Sequence, residues 1–265
     1  MRIGVIGGGV VGKATARAFL EHVDEVCIYD IDPTRRTTDR GSVVGCDIVF
    51  VCLPTPQKDD GSCDTSVLDE KFFDELHMWT PKRRENFVIR STVPVGYTKR
   101  IAERFPNVVH SPEFLTARCA DVDAQMPSRN IVGFPTGGFG DDHPLIQLYR
   151  KRWPHVPLLR MSSNSSELIK LTQNAFFAVK VAFWNEAKSL CDKLHVDYDT
   201  LIKGILLDGR IHPSHTKVPG PDGLRGFGGT CLPKDLASYV NHLHSADLSA
   251  WVAQSAMLRN GEDRP

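Results

Sequence analysis

The segment RIGVIGGGVVG at residues 2–12 constrains the fold more than any other stretch. A short run rich in Val and Ile passes straight into Gly7-Gly8-Gly9-Val10-Val11-Gly12, a G-x-G-x-x-G turn, and a helical pattern over 10–22 follows. Glycines at these positions permit a tight turn and let a pyrophosphate approach the amino end of the helix. Asp30 closes the next apolar run, EVCIYD at 25–30. A carboxylate there accepts hydrogen bonds from a ribose diol and repels the extra phosphate of NADP. The expected cofactor is NAD, cradled by Gly7, Gly9, Val10, Val11, Gly12 and Asp30.

The pattern continues downstream. DIVFVC (47–52), NFVIRS (86–91) and NVVHS (107–111) are short apolar runs that predict buried strands, and segments 66–79 and 98–105 carry helical spacing between them. Such alternation implies a parallel sheet with right-handed crossovers. NIVGF (130–134), a helix over 143–152 and PLLR (157–160) extend the sheet. Between Asp30 and the third strand the chain is short and interrupted by Pro33 and Gly41, which predicts a second helix reduced to a turn or two.

From SSNSS (162–166), a run of capping residues, the character changes. A long helix is expected from Glu167 to about His195. Within it AFFAVKVAFW (175–184) is apolar nearly all round, with Lys180 its single charge. Such a helix is buried against its own domain, a partner subunit, or both. A further helix over 198–206, a polar loop over 208–230 and a helix over 233–245 follow. The expected architecture is α/β: a Rossmann-type, doubly wound, mostly parallel sheet over 1–161, then an α-helical domain over 162–265.

Composition removes other classes. Thirty-two Lys and Arg balance 32 Asp and Glu, so nothing points to nucleic acid or an anionic membrane. The clusters Arg35-Arg36 and Lys82-Arg83-Arg84 suit solvated faces. No stretch approaches the ~20 apolar residues of a membrane span. The amino terminus enters the glycine motif without a cleavage site, so no signal peptide is expected. Seven scattered cysteines without a CxxC pair argue against zinc or a disulfide framework and for a reducing cytoplasm. HPSH (212–215) and HLH (242–244) lack a carboxylate at ligand spacing, so no metal is expected.

Three motifs follow strand ends: LPTP (53–56), STVPVG (91–96) and SPEFL (111–115). The carboxyl ends of parallel strands form the ligand crevice, so Thr55, Thr92 and Glu113 belong there. Each alone suits a turn or a cap, and the three together favour a site. Glu167, Lys170 and Asn174 share one helix face. That face is either a solvated stripe with one ion pair or a polar edge that runs through Val181 and Asn185 into the core. In GFGGTCLPKD (226–235), Cys231 stands just before a helix that opens with Pro233, with Lys234 one turn in. Helix dipole and ammonium both favour the thiolate. A buried, inert thiol is the alternative, but it needs neither the glycines nor the lysine. Asp235 suits the first turn of that helix.

Taken in order, the glycine turn with Asp30, VCLPTP, STVPVG, SPEFL, ELIKLTQNAFFAVKVAFWNE and GFGGTCLPKD resemble the UDP-glucose/GDP-mannose 6-dehydrogenase family over nearly the whole chain. The resemblance implies NAD-dependent oxidation of a sugar-nucleotide primary alcohol, UDP-glucose or similar, to the uronic acid, as in polysaccharide biosynthesis. By it, Cys231 carries the sugar as a thiohemiacetal and then a thioester. Lys170, Asn174 and Asp235 hold the oxyanion and a water, while Thr92 and Glu113 support proton transfer and the hydrolytic water. Arg35, Thr55, Thr92 and Lys234 join the NAD site. Glu113, Phe114, Leu115, Lys170, Asn174, Phe227 and Gly228 contact substrate. Arg210 matches an arginine that reaches substrate from a partner subunit, which implies a homodimer through helix 167–195.

Three departures stand out. The family's second glutamate after SPEFL is Ala117 here, the loop HPSHTKVPGPDGLR (212–225) differs from one that fits a diphosphate, and a further nucleotide-binding domain is expected to be missing after the cysteine motif. They leave two other readings: a non-catalytic NAD-binding relative, or a two-electron dehydrogenase of the β-hydroxyacid type, which shares the architecture without the cysteine.

Overall fold

The apolar runs become strands because both of their faces are covered. In the computed structural model, which describes residues 1–78, 86–136 and 142–264, they form β1 (Arg2–Ile6), β2 (Glu25–Tyr29), β3 (Ile48–Val51), β4 (Asn86–Ile89) and β5 (Val108–His110). With β6 (Asn130–Phe134) and β7 (Leu158–Ser162) they make one sheet of order β2-β1-β3-β4-β5-β6-β7. Along β3, Ile48 and Phe50 enter one core with Ile3, Phe19 and Tyr149, while Val49 and Val51 enter another with Phe73, Phe87 and Ile101. Each such side chain stabilises the fold by about 1.5–3 kcal/mol. Strands β2 to β5 pair in parallel, and the order reverses between β1 and β3, which puts the ligand crevice at the carboxyl ends of those strands.

Strand β6 joins β5 antiparallel, through the single pair His110 and Gly133, and β7 pairs with β6 in parallel. The sequence places both strands, but a hydrophobic run carries no direction. The helix after β5, α5 (Ala120–Gln125), is only ~9 Å long at 1.5 Å per residue, too short to return the chain to the amino edge.

The remaining helices of this part are α1 (Val10–Phe19), α2 (Arg40–Val44), α3 (Glu70–Met78), α4 (Tyr97–Ala102) and α6 (Pro144–Arg152). Helix α2 is the expected remnant, a little over one turn, capped where the Asp39 carboxylate accepts from Ser42 N at 2.8 Å. The expected helix over 66–79 divides into a 3-10 turn at Ser66–Leu68 and α3, because Asp69 caps a new start by accepting from Phe72 N at 2.9 Å. Trp79 and the cluster Lys82-Arg83-Arg84 lie outside the described residues.

The chain divides into two compact units: Met1–Pro56 with Asp64–Lys170, and Gln57–Cys63 with Leu171–Pro265. The second contains most of α7 (Ser163–Leu194), then α8 (Tyr198–Leu206), α9 (Leu232–Ser245) and α10 (Trp251–Asp263). Helix α7 starts earlier than its capping run suggests. Ser162 alone caps it, its hydroxyl accepting from Ser165 N at 3.1 Å, and the other serines are helical. In the second unit Ala175, Ala178 and Ala182 of α7 pack with Leu236 and Val240 of α9 and with Ala250, Ala253 and Ala256 along α10. Helix α10 has no counterpart in the sequence reading. Its signal is a stripe of alanines, which hydrophobic patterning barely registers. Helix α7 is less enclosed than its apolar composition suggests, for Phe176, Phe183, Leu190 and Leu194 are exposed. No helix among the described residues is long and apolar enough to cross a membrane.

Candidate active site

At the carboxyl end of β1 the glycine turn folds as its spacing requires. Gly7 has φ +99°, open only to glycine without strain, and a Cβ on Gly12 would strike the Gly7 carbonyl. A Cβ on Gly9, in contrast, would meet nothing within 4 Å. Packing does not demand glycine there, whereas a ligand lying over the turn does. Gly9 is the N-cap of α1 and offers no side-chain cap, the first turn holds no acid, and Val10 beside it is exposed. Free amide donors and the helix dipole therefore face outward, fitting the pyrophosphate of NAD. Val11 is partly buried in the first turn.

Asp30, just beyond β2, ties the turn together: its carboxylate accepts from Gly8 N at 2.7 Å and from Asp32 N at 2.9 Å. Arg35 is exposed and pairs with Asp32 at 3.2 Å. The loops after β3 and β4 are joined twice, Thr55 Oγ1 donating to the Thr92 carbonyl at 2.7 Å and Ser91 Oγ to the Leu53 carbonyl at 2.7 Å.

The first turns of α7 are pinned to the ends of β4 and β5 by three buried polar side chains. Ser166 Oγ lies 2.6 Å from His110 Nδ1. Glu167 accepts from Gly96 N at 2.6 Å and Thr98 N at 2.8 Å, so it caps α4 from a distance. Lys170 Nζ donates to Glu113 Oε1 at 2.9 Å and to the Glu113 carbonyl at 2.7 Å. The second Glu113 oxygen accepts from Leu115 N at 2.6 Å, and Phe114 carries Arg129 at 4.0 Å and Lys170 at 5.6 Å from its ring centre.

These surroundings tune the buried groups in opposite directions. Burial raises the Glu113 carboxyl, but the Lys170 charge and hydrogen bond outweigh it and hold the group below the usual carboxylate range. Burial raises Glu167 and prevails over the two backbone donors. His110 is pushed down to about 3, chiefly by burial. Glu167, Lys170 and Asn174 are all buried, so their shared face is the polar edge of the core and not a solvated stripe. Sequence spacing identified Lys170 and Glu113 but gave no sign of His110 and Ser166, which come from distant segments.

In the second unit Cys231 is exposed at the N-cap of α9, and Thr230 Oγ1 lies 3.7 Å from its sulfur. The next turn holds a buried polar chain. Lys234 Nζ donates to Asp235 Oδ1 at 2.5 Å, and Asn174 Nδ2 donates to Asp235 Oδ2 at 2.6 Å. Asp235 thus exceeds the first-turn role that its position suggests. Phe227 is buried, and Gly228 is covered by the Arg264 guanidinium. Arg210 is exposed and bonded to Asp208 Oδ2 at 2.6 Å. Among the histidine motifs, His215 stacks on Phe177 with centroids 4.2 Å apart, and no metal-binding cluster of His, Cys, Asp or Glu occurs among the described residues.

Two family models match the chain. Residues 34–151 match the NAD binding domain, and residues 164–262 the central domain, of the UDP-glucose/GDP-mannose dehydrogenase family. The glycine turn lies upstream of both matches and rests on its own geometry. UDP-glucose 6-dehydrogenase of Rhizobium meliloti is 31% identical over 98% of this chain and 67% of its own. The enzyme of that name from Campylobacter jejuni is 29% identical over 91% of this chain and 68% of its own. The structure of a UDP-glucose dehydrogenase from Pyrobaculum islandicum superimposes with a TM-score of 0.79 at 25% identity, over 98% of this chain and 68% of that one. The chain spans about two thirds of these relatives' length.

Proposed function

The chain belongs to the UDP-glucose/GDP-mannose dehydrogenase family and its cofactor is NAD, and from that premise we propose that it oxidises the primary alcohol of a sugar nucleotide, UDP-glucose or a close analogue, to the carboxylate through a covalent intermediate on Cys231. The observation that carries this reading is the exposed Cys231 at the start of α9, with Lys234, Asp235 and Asn174 hydrogen-bonded in series behind it. An inert structural cysteine calls for neither exposure nor a buried acid held on both sides.

Gly7, Gly9, Val10, Val11, Gly12 and Asp30, with Arg35, Thr55, Thr92 and Lys234, would hold NAD, which would supply the hydride acceptor for each of two oxidations. The first leaves an aldehyde. Cys231 Sγ adds to the aldehyde carbon, and the C–S bond converts a trigonal carbon into a tetrahedral one that still carries a hydride to lose. Lys170 and Asn174 donate to the oxygen as it gains charge, an effect of about 3 kcal/mol per donor. Loss of the second hydride gives a thioester. Water then adds with Glu113, Asp235 and Thr92 assisting proton transfer, the C–S bond breaks, and carboxylate and thiol separate. One alcohol, one water and two NAD+ give one carboxylate, two NADH and three protons. Phe114, Leu115, Phe227 and Gly228 contact the sugar nucleotide.

The proposed division of labour gives NAD to residues 1–161, joined by Lys234, and the cysteine to 162–265. Arg210 reaches the substrate of a second copy, and the copies meet along α7 through the exposed stripe Phe176, Phe183, Leu190 and Leu194. Seven free thiols support a cytoplasmic site of action.

The test is a panel of sugar nucleotides with NAD. The expected yield is two NADH per sugar, and Cys231→Ser is expected to stall after the first oxidation. No NADH from any member of the panel, by a chain that still binds NAD, would sink the dehydrogenase reading. One NADH with release of free aldehyde would remove the covalent step and implicate Ala117.

A further inference from the structure

Cys231 ends a loop whose base is held from two sides within the second unit. Gly226 and Phe227 are buried, and their consecutive amides donate to side-chain oxygens of two different helices. Gly226 N donates to Asn185 Oδ1 of α7 at 3.1 Å, and Phe227 N donates to Asn260 Oδ1 of α10 at 2.6 Å. One turn beyond Asn260, Arg264 donates to the Gly226 carbonyl at 3.2 Å and to Asp222 Oδ2 at 2.6 Å. Gly226 adopts φ +68°, and a Cβ there would meet Asn260 Oδ1 and, at 3.1 Å, the Asp263 Cβ. No side chain fits between the loop and α10.

The packing of α10 does not require these bonds. Ala253 and Ala256, with Ala250 at the N-cap, seat the helix against α9 in the core it shares with the alanines of α7, and Asn260 follows one turn later, turned to the loop. A buried amide in an irregular segment needs an acceptor, and two neighbouring amides here receive theirs from residues far apart in the chain. The loop is thereby fixed at its base, leaving only Gly228, Gly229 and Thr230 before the sulfur.

We propose that Asn260, with Asn185 opposite it, is a positioning residue for Cys231: it accepts from the Phe227 amide and so sets the angle at which the loop delivers the thiol to the start of α9. The proposal rests on the reading of Cys231 as nucleophile. A nucleophile displaced by even a fraction of an ångström loses rate without losing the fold.

The experiment measures the rate of Cys231 alkylation by iodoacetamide in the full chain, followed by peptide mass spectrometry, with exposed Cys119 as internal reference. Asn260→Leu keeps the shape and removes the acceptor, and is expected to slow Cys231 at least fivefold while Cys119, the melting temperature and NAD binding stay near the parent. Asn260→Asp restores an acceptor and is expected to return the rate to within twofold. Should the Leu variant not fold, Asn260→Ser, too short to reach the amide, is expected to show the same loss. Parent-like alkylation of Cys231 in a folded Leu or Ser variant overturns the proposal, and so does failure of the Asp variant to rescue. Alkylation needs no sugar nucleotide, so this outcome is independent of whether the panel yields NADH. Where it does, kcat is expected to fall in the Leu variant with KM for NAD unchanged.

Discussion

Lys170 and Glu113 show how much a single contact carries. Both are buried, and the ammonium meets both a carboxylate oxygen and the carbonyl of the same residue. Removing one partner strands the other charge away from water, which costs about 3–5 kcal/mol. Lys170→Met is therefore expected to lower the unfolding free energy by about that much in denaturant titrations, and adding Glu113→Gln to recover most of it. Independent losses from the two substitutions would mean that the pair is not coupled. The sequence identifies each residue from its own motif, SPEFL and ELIK. It does not identify the pair, because spacing within a helix says nothing about which loop end faces it. The same limit hid His110 with Ser166, and it left Glu167 open to a solvated reading when its carboxylate in fact caps α4.

At the scale of elements, patterning succeeds where side chains are large and fails where they are small. The strands and α8 are legible because Val, Ile and Leu mark their buried faces. Helix α10 is not, since its buried face is Ala250, Ala253 and Ala256, and alanine marks a close helix approach without a strong hydrophobic signal. Helix α7 poses the reverse difficulty: its apolar circumference is divided between an alanine face that is buried and an exposed stripe. Phe176, Phe183 and Leu190 recur every seven residues, with Leu194 one turn on. A seven-residue seam is the spacing at which two like helices interlock, and exposed apolar rows of this size mark interaction surfaces. Phe183→Glu is expected to convert the proposed dimer into a monomer by light scattering after gel filtration, with helical content unchanged by circular dichroism. A parent chain that is already monomeric at micromolar concentration would refute the seam. The buried alanines of α10 answer differently. Ala253→Leu is expected to cost about 1–3 kcal/mol by overpacking, seen as a lower melting temperature.

For the molecule as a whole, three buried groups joined to the start of α7 set how stability answers acid. His110 has a folded value of about 3, pushed down by burial, with a bond involving the Ser91 backbone opposing and the Lys170 and Arg90 charges adding to the fall. Between pH 6.5 and 3 the unfolded chain binds a proton that the folded chain refuses, so the contribution of His110 is present above 6.5 and lost as pH falls. Glu113 acts in the same sense at lower pH: its folded value lies below 4.5, and its contribution is lost as pH drops from 4.5 through that folded value. Glu167 acts in reverse. Its folded value lies above 4.5, so its contribution is present in acid and lost as pH rises through the raised value. His110 acts from pH 6.5 downward and Glu113 joins it below 4.5, so the unfolding free energy is expected to fall from pH 7 to pH 4. Single variants separate the terms by sign. His110→Gln removes one proton of difference and is expected to flatten the slope by up to about 1.4 kcal/mol per pH unit, whereas Glu167→Gln removes the opposing term and is expected to steepen it near pH 5. Urea titrations at three pH values measure both slopes. Slopes that move in the same direction would show that these groups do not titrate in the environments the fold gives them. Opposite shifts would tie the acid response to the contacts that His110 and Glu167 make at the first turns of α7, the turns that carry Lys170.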